Sequence, residues 1–117
     1  MRVTRMLKGL ALGAAALGLM ASPALAQDKT IKVGVIYDYS GPLAGGGSEL
    51  HGFGTKMIID YMNAQGGVEG YKIDAIYADA QSKPDVAINE AVRLIEQENV
   101  DMLLGFYSSA QCVPVSA

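Results

Sequence analysis

The segment IKVGVIYDYSGPLAGGGS, residues 31–48, decides the fold class. Its first half, Ile31 to Tyr37, is apolar and β-branched without clear alternation. That pattern suits a strand buried on both faces, as in a parallel sheet. Its second half is rich in glycine and proline and reads as a turn. Beyond it, Leu50, Phe53, Met57, Ile58 and Tyr61 recur at three- and four-residue spacing, the apolar face of a helix. Gly66-Gly67 is expected to end that helix, because glycine adopts the left-handed C-terminal conformation without steric cost.

The same pattern then repeats. YKIDAIYAD (71–79) reads as a second strand. QSKPD opens a second helix: Ser82 or Lys83 can cap it, and Pro84 suits the first turn, where a missing N–H is harmless. Ile88, Ala91, Val92 and Ile95 are its expected buried stripe, and DMLLG (101–105) is a short third strand. A loop and the start of a third helix follow. Strands alternating with helices predict an α/β fold, a three-layer open parallel sheet with right-handed crossovers.

The first 26 residues have a different character. Arg2, Arg5 and Lys8 precede an apolar run from Leu10 to Met20, and Ala24-Leu25-Ala26 is an A-x-A cleavage signal. These are the three zones of a secretory signal peptide, with cleavage after Ala26 and a periplasmic product. In the remaining 91 residues, six basic side chains stand against all twelve acidic ones, a net charge of −6. Nucleic acid and anionic membranes are therefore poor partners. The single cysteine, Cys112, allows no internal disulfide.

In an open α/β sheet, ligands bind beyond the carboxyl ends of the strands where strand order reverses. With order 2-1-3 that point lies between the first and third strands. The loops leaving them, DYSGPLAGGG and FYSSAQ, would face one another. One lets backbone approach a ligand closely. The other offers two hydroxyls and a phenol and opens a helix, whose N–H groups and dipole favour an anion. A carboxylate is the natural ligand of such neutral donors. The candidate binding residues are Tyr107, Ser108, Ser109 and Gly46, with Asp38 and Tyr39 as weaker candidates.

The order of these pieces, from the strand before SGPLA through NAQGG and a Pro-started helix to LLGFYSSA, resembles the N-terminal lobe of type I periplasmic solute-binding proteins. The nearest group is the leucine/isoleucine/valine-binding type, which serves branched-chain amino acid ABC transporters. The resemblance covers residues 27–117. It implies a partial N-terminal lobe of a two-lobed protein, monomeric when intact, that closes on a small carboxylate solute and delivers it to an inner-membrane ABC permease. The second lobe, the hinge and half the pocket are then expected elsewhere, and residues 27–117 alone are expected to fold poorly. The resemblance assigns Ser109 as the hydroxyl donor to the solute carboxylate, with Ser108 just before it and Tyr107 beside it. Where amino-acid binders can carry a bulky aromatic, this chain has Gly46, which leaves room for an aromatic acid. Some relatives carry a disulfide at the positions of Gln81 and Ser108; both cysteines are absent here.

Other readings are weaker. Ser108 and Ser109 could serve only as helix caps, and Gly45 to Gly47 only as a turn. Cys112 lacks a neighbouring base in the sequence pattern and is expected to be a buried structural thiol, with a partner beyond residue 117 left open. His51 is a surface or helix-start residue, and with no second histidine no metal site is expected. No catalytic residue and no cofactor is expected, so the chain is read as a non-enzyme. A dinucleotide fold would need glycine at position 50, which is Leu50, although Asp79 sits where a ribose-binding acid belongs. A ligand-sensing lobe of a receptor or regulator is the remaining alternative.

Overall fold

The computed structural model describes residues 29–117. The expected signal peptide, residues 1–26, lies outside the described residues. The elements follow in the expected order: β1 (Thr30–Tyr37), α1 (Glu49–Ala64), β2 (Lys72–Asp79), α2 (Pro84–Glu96), β3 (Met102–Gly105) and α3 (Ser109–Ser116). The strands form one parallel sheet in the order β2-β1-β3. β1 is central, which explains its unbroken apolar run: both of its faces are covered. Val33 and Val35 pack with Ile59 of α1 on one face. Ile36 packs with Ala78, Ala87, Ala91 and Leu94 on the other, the side of α2. Helix, sheet and helices make three layers.

Both long helices turn a different face to the sheet than their apolar spacing predicts. In α1 the covered positions are Gly52, Thr55, Ile59 and Met62, while Leu50, Phe53, Met57, Ile58 and Tyr61 all face outward, Leu50 at 73% exposure. In α2 the covered stripe is Ala87, Ala91 and Leu94. Ile88, Val92 and Ile95 lie outside it, and only Ala91 belongs to both sets. The reason is close approach. A Cβ at position 52 would sit 2.5 Å from the Tyr39 hydroxyl, so only glycine lets α1 lie against that ring. Likewise the two alanines bring α2 down until Leu94 packs over Gly34, where an added Cβ would be 3.0 Å from Leu94 Cδ1. Small residues decide these interfaces and leave the larger apolar side chains facing out.

The helix ends are built as expected at α1 and differently at α2. α1 closes at Gly66 and Gly67, both at positive φ, with the Gly67 N–H donating to the Met62 carbonyl at 2.8 Å. The amide of Asn63, in the last turn, donates to the Ile73 carbonyl and accepts from the Ile73 N–H, at 2.7 and 2.8 Å. It thereby satisfies the outer edge of β2 as another strand would. α2 begins at Pro84, but neither expected cap supplies a side-chain bond to it. Lys83 takes the N-cap position through its backbone alone, and the Ser82 hydroxyl is engaged elsewhere, with Leu43 and Ser40. Cys112 is also corrected: its thiol is exposed rather than buried. The inward position in that turn of α3 belongs to Gln111 instead.

Candidate functional site

Strand order reverses between β1 and β3, so the loops leaving those two strands share one edge of the sheet. They are joined directly. The Tyr107 hydroxyl donates to the Gly46 carbonyl at 2.8 Å. The Tyr107 ring lies over Gly47, where a Cβ would meet it at 3.1–3.3 Å. His51, in the first turn of α1, packs against Tyr107 at 5.3 Å between centroids and stacks on Tyr37 at 6.2 Å. On the side where Gly46 would carry a Cβ there is open space to at least 4 Å.

The two serines have different tasks. Ser108 is the N-cap of α3, its hydroxyl accepting from the Ala110 N–H at 3.2 Å. Ser109 is the first helical residue and is exposed. Neither its hydroxyl nor its N–H bonds to another described residue. Those two donors stand at the positive end of α3 beside Tyr107. Thus the structure brings Tyr107, Ser109 and Gly46 to one edge, with Ser108 shaping the helix start.

Beneath this edge lies a polar hub that sequence reasoning ranked low. Asp38 is fully buried at the end of β1. Its N–H donates to the Ser48 hydroxyl at 2.8 Å, which ties β1 to the start of α1. Its Oδ1 accepts from the Ser82 N–H and from Gln111 Nε2, both at 2.7 Å. One side chain therefore holds the β2–α2 loop and the first turn of α3. Asp38 Oδ2 and Gln111 Oε1 are buried without a partner among the described residues. Gln111 carried no signal in the sequence: glutamine in a short helix usually faces water.

Asp79 does a similar job on the other side of the loop. Its Oδ1 accepts from the N–H groups of Tyr39, Ser40 and Gln81 at 2.9, 3.3 and 2.9 Å, and its Oδ2 from the Ser40 hydroxyl at 2.6 Å. The loop after β2 pays for this with Gln81 and Ser82 both at positive φ, a conformation that persists where surrounding bonds impose it. The carboxylate that resembled a ribose-binding acid is thus committed to holding the loop after β1. Nearby, burial pushes the Tyr39 phenol up to about 12, with Tyr77, Tyr37 and Asp79 adding to the effect. It stays protonated at neutral pH.

Asp79 yields a pH prediction. Partial burial alone would raise its pKa, but the Ser40 hydroxyl and the N–H groups of Gln81, Tyr39 and Ser40 outweigh it, and the net displacement is downward. A depressed carboxylate stabilises the fold above its unfolded pKa, about 3.9, and that contribution is lost as pH falls toward the folded value. Asp79→Asn should therefore lower the melting temperature at pH 7, and the gap to wild type should shrink below about pH 4. Melting curves at several pH values check this; a gap independent of pH would contradict it.

Comparison with known proteins follows the same outline. Residues 30–117 match the sequence profile of a family described as periplasmic binding protein. The chain is 43% identical over 107 residues to Leu/Ile/Val-binding protein homolog 7 of Brucella abortus (strain 2308), which covers 92% of this chain and 26% of the relative. The chain thus spans about a quarter of the length of the curated relatives it matches. Among solved structures it is similar to the branched-chain amino acid transporter substrate-binding protein LivJ from Streptococcus pneumoniae in complex with isoleucine. That match has a TM-score of 0.71 and 29% identity over 74% of this chain and 25% of the other. It is also similar to a solute-binding protein of an ABC transporter from Rhodopseudomonas palustris HaA2 in complex with p-hydroxybenzoic acid, at TM-score 0.60 and 38% identity, over 74% and 23% of the two chains.

Proposed function

Because this chain belongs to the periplasmic binding protein family, we propose that it is the solute-gripping part of an extracytoplasmic binding protein that feeds an ABC importer. Residues 1–26 are the export signal, and residues 27–117 form part of the N-terminal lobe. The bound molecule is a small carboxylate, an amino acid or an aromatic acid, which the closed protein delivers to an inner-membrane permease. The single observation that carries this reading is Ser109. An exposed hydroxyl and an N–H without a partner among the described residues stand together at the start of α3, two residues after the tyrosine that bonds to the glycine loop. Two neutral donors at a helix N-terminus hold an anion without a countercharge. Isoleucine and p-hydroxybenzoic acid, found in two similar structures, share a carboxylate and little else. No covalent step is required of any residue in the site.

Titration of the full-length protein by calorimetry with L-leucine, L-isoleucine and 4-hydroxybenzoate tests the proposal. Binding of at least one is expected; binding of none would overturn it. Gly46 sets the width of the pocket in this reading. Gly46→Trp fills the open space above the loop, and is expected to weaken 4-hydroxybenzoate by about tenfold, the order of one lost or obstructed apolar contact region. A small amino acid should be affected less. Equal effects on both ligands would remove Gly46 from the solute's surroundings.

A further inference from the structure

We propose that Asp38 and Gln111 are a buried positioning pair that orients the solute-gripping end of α3, an inference that rests on the reading of Ser109 above. α3 has only eight residues, and Gln111 is its one buried side chain. Val115 adds a half-buried apolar contact one turn later. An apolar contact alone tolerates rotation of a short helix, whereas a hydrogen bond is directional. The bond from Gln111 Nε2 to Asp38 Oδ1, at 2.7 Å, is therefore what fixes the helix about its axis. Ser109 lies two residues earlier, about 200° around the helix. Holding Gln111 inward turns Ser109 outward, where it is exposed at the start of α3, two residues after Tyr107.

The pair has the marks of a site kept for more than packing. Asp38 is fully buried and Gln111 almost so, yet Asp38 Oδ2 and Gln111 Oε1 have no partner among the described residues. No basic side chain there forms a salt bridge with Asp38. Asp38 also receives the Ser82 N–H, so the same carboxylate registers α3 against the loop that supports the glycine turn. Polar groups with unmet hydrogen-bonding capacity are rare in protein interiors and call for a specific role.

The test uses the full-length protein and the same carboxylate probes, L-leucine and 4-hydroxybenzoate. Gln111→Leu removes the donor and should raise the Kd of the bound probe by about tenfold or more. Gln111→Glu sets a second carboxylate against Asp38 and should weaken binding at least as much. Adding Asp38→Asn to Gln111→Glu puts a donor back between the two positions, and should bring the Kd to within about threefold of wild type. A general packing role would not give that rescue. Unchanged affinity in both single variants, or no rescue in the double variant, overturns the positioning role while leaving the functional reading in place. A wild-type protein that binds neither probe overturns the functional reading and this inference with it.

Discussion

Ser109→Ala is expected to weaken binding of a carboxylate solute by about 1.5–3 kcal/mol, the range for a hydrogen bond to a charged group, or roughly 10- to 150-fold in Kd. The loss should fall on binding alone. The Ser109 hydroxyl bonds to no other described residue and the side chain is exposed, so its removal should leave stability within about 0.5 kcal/mol. Titration calorimetry and a melting curve on the same sample separate the two quantities. Weakened binding with an unchanged melting temperature is the predicted result. An unchanged Kd would remove Ser109 from the site, and a large fall in melting temperature would make it a structural residue.

Gly105→Ala is expected to have the largest effect on the fold. Gly105 ends β3 at φ +147°, a region that residues with a side chain rarely occupy. An added Cβ would lie 2.0 Å from the Ile36 carbonyl oxygen. That oxygen cannot withdraw, because it accepts the Phe106 N–H at 2.9 Å and belongs to the central strand. Backbone strain of about 1–3 kcal/mol and a steric cost of similar size act together, so a loss of about 2–6 kcal/mol is expected. The turn that carries Tyr107 to Ser109 starts here, so the variant should also lose solute binding. Chemical denaturation of the variant measures the effect. A loss under about 1 kcal/mol would show that β3 leaves the sheet with more freedom than its geometry implies.

Much of the fold was legible because its strands are short, apolar and set off by glycine and proline. The predicted strands 31–37, 71–79 and 101–105 differ from the observed ones by a single residue at one end. Pro84 marked the start of α2 and Gly66-Gly67 the end of α1 for reasons local to the backbone. The helix faces were not legible. Apolar spacing weights Leu50, Met57, Ile88 and Ile95 most heavily, but the interfaces are made at Gly52, Thr55 and Ala87, where small size permits close contact, and of the expected α2 stripe only Ala91 is buried. The exposure of the Cys112 thiol has a related reason: the inward position in that turn of α3 belongs to a polar residue, Gln111.

At the candidate site, the meeting of the two loops follows from strand order, and the solute-binding roles proposed for Ser109, Tyr107 and Gly46 come from the resemblance. The hub beneath them was nearly invisible. An aspartate just past a strand reads as an ordinary loop residue, and nothing local says that Asp38 is buried or that Ser82 and Gln111 converge on it. Those bonds span 44 and 73 residues, beyond the reach of any local pattern. Asp79 has a different chemistry from the one its position suggests. Its position at a strand end suggested a ribose, and its four hydrogen bonds spend it on the adjacent loop.

The most direct measurement compares each acid with its carboxamide on the full-length protein: 4-hydroxybenzoate against 4-hydroxybenzamide, and L-leucine against L-leucinamide. Amides keep the shape of the solute and remove the negative charge that Ser109 and the α3 N-terminus are proposed to hold. The expected result is binding of at least one acid, with its amide weaker by about tenfold or more. An amide that binds as tightly as its acid would contradict a carboxylate grip at the start of α3.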